Sequence, residues 1–450
     1  MNSKFRKVKL KDITSFKYGK TIRKQDIQSY GEYPVFSGYQ VVGYLPDYMY
    51  KEEQLIIVCR GAGGTGDIKM SPSFCSITNL AIIISCDETV IDKGYLYWKL
   101  LFSDTYSLRT GSAQPQITIN SLGSFEIEIE TDVSRQRKIA SELFDINNKI
   151  RNNFVINQIL EQMAQALFKS WFVDFEPVKA KMAVLEAGGS QEDAMLAAMM
   201  AISGKDTDAL AVFEREHPEQ YAELKATAED FPSALQDSEL GGIPEGWSVA
   251  SISEMGKVTC GKTPSKKEPA YFGDDIPFIK IPDMHGQLFV LKTNEYLSAA
   301  GSSSQLKKLV PANSICVSCI ATIGVVSITN EPSHTNQQIN SVSPHKSSFL
   351  YYLYFCMLGL KDYLHVLGSA GSATLNVNTS TFSGIKIARP DDNILNLFHA
   401  KCTHLFNEIK SLSVQTESLT QLRDTLLPKL LSGEITLPEA EQAISEVENV

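Results

Sequence analysis

Several segments of this 450-residue sequence carry residue types at spacings that could do chemistry. Gly256-Lys-Val-Thr-Cys-Gly261-Lys262-Thr263 satisfies the GxxxxGK[ST] pattern of a phosphate-cradling loop. Such a loop needs a helix directly after it to supply amides and a dipole. Here Pro264 and a Ser/Lys/Pro-rich stretch follow instead. Gly61-Ala-Gly63-Gly64-Thr-Gly66 satisfies GxGxxG, with Asp87 about 20 residues on, as a dinucleotide or S-adenosylmethionine fold would have it. The segment after it contains Pro72 and has no 3.6-residue period, so a tight strand–turn–strand is expected. Cys316-Val-Ser-Cys319 is a lone CxxC in a β-branched run, with no second pair or suitably spaced His, which points to structural thiols rather than zinc. The seven histidines contain no HxxxH, and without any Pro-Pro pair there is no N/D-P-P-Y/F tetrapeptide for adenine methylation. No catalytic residue, metal site or cofactor site is therefore assigned to this chain.

What remains are basic and amide side chains in Gly/Ser/Thr-rich loops, where a backbone can approach a nucleic acid closely. Lys and Arg supply affinity at phosphates, and Arg, Lys, Asn and Gln read base edges in the major groove. In the N-terminal part the candidates for double-stranded DNA are Lys20, Arg23, Lys24, Arg60, Arg109, Gln114 and Gln116. Further on they are Lys262, Lys266, Lys267, Gln337, Gln338, Ser372 and Asn376. For each, an ordinary solvated loop side chain is the competing reading. The net charge of −10 argues against a DNA ligand until it is divided along the chain. Residues 1–135 carry +1 and 246–390 carry +4, whereas 136–245 carry −9 and 391–450 carry −6. The acid is thus concentrated outside the loop-rich tracts.

These side chains lie in two copies of one pattern. Val8 to Thr21 (VKLKDITSFKYGKT) lines up with Ala250 to Thr263 (ASISEMGKVTCGKT), and EYPVFSG at Glu32 with DIPFIKI at Asp275. Leu55 to Gly64 matches Ser314 to Gly324, setting Cys59 against Cys319. Gly111 to Ile129 matches Gly368 to Ala388. Identities are few, but a shared order of blocks is the mark of an internal repeat. Each copy reads as short alternating runs broken by Gly, Pro, Asn and Ser, with strands such as 81–85, 125–129 and 315–319. Each also holds one aromatic-rich helix, at 95–108 and 349–364, whose rings suit core packing.

Each copy ends in a long heptad pattern. Ile139, Leu143, Ile146, Ile150, Leu160, Ala164, Leu167 and Trp171 form one seam. Phe398, Cys402, Leu405, Ile409, Leu412, Leu419, Leu426 and Leu430 form the other. Seams of that length pair with another helix, and polar residues inside them fix register, so Asn157 near Thr416 is a candidate pin. The expected class is α+β: two similar, β-rich recognition domains separated by two long antiparallel, coiled-coil-like helices in a pseudo-two-fold repeat. The divisions are 1–134, first domain; 135–176, first helix; 177–245, acidic helical spacer; 246–390, second domain; 391–450, second helix and tail. Surplus apolar residues end the helices (Phe168, Trp171, Phe172, Leu426, Leu427, Leu430 and Leu431) and suit either helix–helix packing or partner docking.

The composition, 43% hydrophobic and 21% charged, is that of a folded chain. No apolar run approaches 18 residues, the start has no signal-peptide pattern, and eight scattered cysteines form no disulfide framework, so a cytoplasmic, membrane-free protein with reduced thiols is expected. The sequence resembles the specificity subunits of type I restriction–modification systems. The resemblance is carried by LFKSWFVDFEPV (Leu167 to Val178), DSELGGIPEGW (Asp237 to Trp247), GKTPSKKEPAYFGDDIPFIKIPDM (Gly261 to Met284) and TLLPKLLSGEI (Thr425 to Ile435). The first domain, with KTIRKQDIQSYGEYPVFSG (Lys20 to Gly38), matches more loosely. The resemblance implies two target recognition domains, a split and gapped DNA site, and two bound methyltransferase (modification) subunits with restriction translocase subunits. S-adenosylmethionine, ATP and Mg2+ would act on those partners. A self-contained methyltransferase or nuclease component and a coiled-coil DNA-binding scaffold stay open as alternatives.

Overall fold

The computed structural model describes residues 5–61, 64–111, 114–369, 375–435, 438–439 and 442. Ser372, one of the candidate DNA contacts, lies outside them. The chain forms two compact units, Met1–Phe154 with Gln415–Val450, and Val155–Val414. The long helices Val133–Phe172 and Asp392–Ser432 each contribute residues to both units.

In the first unit an antiparallel sheet runs in the order Thr14–Tyr18, Ala81–Cys86, Leu55–Val58, Ile68–Met70. Its central strands are buried along Leu55–Val58 and Ala81–Ile84, which is why they read as unbroken β-branched runs. In the second unit the order is Gly256–Cys260, Ile339–Pro344, Ile315–Ser318, Val326–Thr329, Phe289–Val290. The repeat is kept down to register. Val8 faces Ile127 where Ala250 faces Ile387, and Phe16 faces Ile84 where Val258 faces Val342. The parallel pairing of Tyr33–Phe36 with Ser76–Ile77 recurs as Ile276–Ile279 with His334–Thr335. The aromatic-rich segments become the helices Lys93–Leu101 and Leu350–Gly359, each followed by a shorter helical turn or helix.

Within each unit the two long helices lie antiparallel. In the first, Asn153 Nδ2 donates to Gln415 Oε1 at 2.8 Å and Arg423 reaches Asn147 Oδ1 at 3.4 Å. In the second, Asn157 Nδ2 donates to Ser413 Oγ at 3.1 Å. Asn157 therefore pairs one turn away from the expected Thr416, whose buried hydroxyl has no partner among the described residues. Ser413 Oγ donates its own proton to the Ile409 carbonyl at 2.6 Å and is left as an acceptor for Asn157, which heptad counting does not show.

The helix ends are core. Trp171, Phe172, Leu427, Leu430 and Leu431 are buried, and Phe168 and Leu426 pack against the same clusters. Phe172 meets Phe398 edge-on at 4.9 Å and Trp171 meets Phe231 at 5.1 Å. Lys99 Nζ donates to the Leu431 carbonyl at 2.9 Å, closing the end of the second helix in the first unit. These side chains pack within their own units, five of them buried and Phe168 and Leu426 partly so; removing one such aromatic from a core costs about 3–5 kcal/mol.

The acidic 177–245 segment forms the helices Glu176–Glu186, Gln191–Ser203, Thr207–Glu216 and Pro218–Asp230, then a hairpin of Leu235–Ser238 and Gly241–Pro244. The last three helices share a small core of Ala198, Met199, Leu210, Leu224 and Ala228. Among the described residues no helix is long and apolar enough to cross a membrane.

Candidate nucleic-acid interface

The phosphate-loop look-alike is no phosphate loop. Gly256–Cys260 is a strand, and Gly261 turns tightly against the neighbouring chain: a Cβ there would lie 2.1 Å from the Asn336 carbonyl oxygen. Gly19 does the same in the first unit, 2.1 Å from the Thr78 oxygen. No side chain larger than hydrogen fits at either place, and each glycine delivers a lysine to the surface. Leu55–Val58 and Ile68–Met70, on either side of the GxGxxG segment, pair antiparallel as a strand–turn–strand. Cys316 and Cys319 are buried, and burial pushes both thiols up to about 11, away from the reactive thiolate form. The described residues contain no group of metal-ligating side chains.

From each glycine a row of side chains is built by matching main-chain bonds. Lys20 N–H donates to Ile77 O and Lys262 N–H to Thr335 O, both at 2.9 Å. Next to them Asn79 Nδ2 donates to Thr21 Oγ1 at 3.1 Å, and Thr263 Oγ1 donates to Gln337 Oε1 at 2.7 Å. Cys59 N–H then donates to Leu80 O and Cys319 N–H to Gln338 O, both at 2.8 Å. Cys59 O accepts from Ile117 N–H and Cys319 O from Val377 N–H, both at 2.9 Å. Isolated antiparallel bridges join Arg60 to Gln116 and Ile320 to Asn376. The first row thus carries Lys20, Asn79, Arg60 and Gln116, and the second Lys262, Gln337, Gln338, Ile320 and Asn376.

Six of the sequence candidates, Lys20, Arg60 and Gln116 and then Lys262, Gln337 and Asn376, fall at matched places in these rows or beside them, with Gln338 next in line. Lys20, Gln116, Lys262, Gln337 and Asn376 are exposed. Arg23 and Lys24 lie on an exposed 3-10 turn after Lys20, and Lys266 and Lys267 on the exposed loop after Lys262. Gln114 is exposed beside the hairpin that pairs Thr110 with Gln116. Arg109 is exposed as well, its Nε donating to Thr65 O at 2.6 Å and its guanidinium lying 4.2 Å from the centre of the Tyr106 ring. Asn79 and Ile320 in the rows, and Tyr18, whose ring lies 5.5 Å from the Arg60 guanidinium, are not among the sequence candidates. Extending the alignment of the copies by the residues between its blocks would have found Asn79 opposite Gln337.

Behind the second row lies a buried network. Gln305 Nε2 donates to Lys262 O at 2.9 Å and approaches His334 Nδ1 at 3.5 Å, while His334 Nε2 meets Ser302 Oγ at 2.8 Å. Burial pulls the His334 pKa down, which favours the neutral imidazole.

The sequence signature described as the type I restriction modification DNA specificity domain matches residues 2–162 and 244–416, covering both rows. The chain belongs to this family, as a DNA-specificity component and not as a catalyst. It is 48% identical over 368 residues to the type I restriction enzyme HindI specificity subunit of Haemophilus influenzae, spanning 79% of this chain and 80% of that one. It is 24% identical over 362 residues to the MjaIX specificity subunit of Methanocaldococcus jannaschii, spanning 79% and 72%. The crystal structure of the type I restriction–modification S subunit from M. genitalium shares the fold, with a TM-score of 0.61 at 14% identity over 96% of both chains.

Proposed function

We propose that each unit reads one half of a split, gapped duplex DNA site through its row, Lys20–Asn79–Arg60–Gln116 in one and Lys262–Gln337–Gln338–Ile320–Asn376 in the other. Arg23, Lys24, Arg109, Gln114, Lys266 and Lys267 flank these rows as phosphate or base contacts, Arg109 also holding its loop through Thr65. The observation that carries the reading is the repetition of the main-chain bonds at Lys20 and Lys262 and at Cys59 and Cys319 around mostly different side chains, which suits one scaffold reading two unlike sequences. Helix length, at 1.5 Å per residue, then counts out the gap between the half-sites.

Methyltransferase (modification) subunits, two per complex, dock on the middle of the helical region, with restriction translocase subunits joining them in the cytoplasm. Support comes from Val155, Ile156, Ile159 and Met163, which are 41–53% exposed on the first long helix beside the buried seam. An apolar stripe of this kind marks a protein-interaction surface. The partners then carry S-adenosylmethionine, ATP and Mg2+.

Purification of the chain with its methyltransferase, followed by mapping of methylated adenines on genomic DNA, tests this. A two-part sequence with a fixed gap is expected, and no methylation by the chain alone with S-adenosylmethionine. Methylation by the chain alone, or at an uninterrupted sequence, would overturn it.

A further inference from the structure

The rows differ most sharply in chemistry at one place. Arg60 and Ile320 both follow the buried cysteine that accepts the 2.9 Å bond from Ile117 or Val377, and both bridge to an amide residue, Gln116 or Asn376. Their chemistry is opposite: a five-donor fork against a branched alkyl group that can neither donate nor accept. The Arg60 guanidinium carbon lies 5.5 Å from the centre of the Tyr18 ring. Counting back from the matched glycines, Gly19 and Gly261, puts Cys260 where Tyr18 stands. The cation and the ring that supports it are therefore replaced together, as expected of a pair that works as one device. Leu80 and Gln338 also differ, but the Gln338 side-chain Oε1 already accepts from Asn336 Nδ2 at 2.9 Å, leaving only its amide hydrogens to meet DNA.

We propose that positions 60 and 320 are where the two half-sites are told apart: Arg60, held on Tyr18, takes the edge of a guanine, and Ile320 takes the methyl group of a thymine. The guanidinium fork matches guanine O6 and N7, and the only base-edge feature in the major groove that an alkyl side chain can favour is the thymine C5 methyl. Resting on the Tyr18 face limits the rotamers Arg60 must give up on binding. The inference rests on the two-row reading above.

The test is competition binding of the chain, complexed with its methyltransferase subunits, to duplexes in which each base pair of the methylated site is changed in turn. With Arg60→Ile, the preference for G·C at one position of one half-site should fall roughly 10- to 100-fold, with the other half unchanged. Arg60→Lys should keep part of it. Cys260→Tyr with Ile320→Arg should turn a thymine preference in the other half into one for guanine, a gain that a misfolded protein cannot give. Equal weakening on every duplex would make Arg60 a phosphate contact and overturn the proposal, as would an unchanged preference in all three variants. Either result leaves the two-row reading standing. If wild-type protein shows no two-part preference, that reading falls and takes this inference with it.

Discussion

The side-chain amide of Gln305 donates a 2.9 Å hydrogen bond to the main-chain oxygen of Lys262. It thereby ties the exposed lysine of the second row to a buried network that ends on His334 and Ser302. Gln305→Leu leaves that carbonyl and the His334 ring nitrogen without their donor. Unfolding of the second unit should become easier by about 1–3 kcal/mol, the cost of orphaned buried polar groups. Selectivity for one half-site should weaken while the other is untouched, which denaturant melts and base-substituted duplexes measure separately.

All seven histidines lie in the second unit, and burial lowers the pKa values of His334 and His399 there. A depressed folded-state value means the unfolded chain binds more protons below its ordinary pKa of about 6.5. Stability from these two groups is therefore complete above that pH and declines as pH falls below it. Hydrogen exchange at pH 7.5 and 5.5 should show protection lost in Val155–Val414 on acidification. His334→Gln combined with His399→Gln should reduce that loss.

The repeat and its strands were legible because β-branched runs, turn residues and heptads are local signals. The partner of Asn157 was not, because a seam names the face of a helix and not the residue across it; Ser413 won over Thr416 by one turn. The apolar helix ends pointed equally to docking and to core, and their packing against Phe231, Phe398 and Lys99 came only with the fold. The reading rows needed matched main-chain bonds between segments far apart in sequence, such as Cys59 with Ile117, which periodicity does not encode.

Asn153 is 4% exposed and holds Gln415 at 2.8 Å in the first unit. A double-mutant cycle with Asn153→Ala and Gln415→Ala should return a coupling of about 0.5–1.5 kcal/mol. Asn153→Leu should raise thermal stability while letting the helices shift register, visible as cross-links between introduced cysteines at non-native spacings.

Ile159 and Met163 are half-exposed, so Ile159→Asp and Met163→Glu should change the stability of the isolated chain by no more than about 0.5 kcal/mol. Both should weaken methyltransferase binding by at least tenfold in titration calorimetry. Unchanged affinity would move the docking face elsewhere.

Gly19 and Gly261 hold the two rows by the same 2.1 Å constraint, and alanine at either displaces the adjoining chain. Mapping the methylated sequences produced with Gly19→Ala and with Gly261→Ala, each chain co-expressed with its methyltransferase, tests the central claim most directly. Two independent readers predict that each variant degrades one half of the site and spares the other, with the gap unchanged. If both variants erode the same positions, the account of one reader per unit is contradicted.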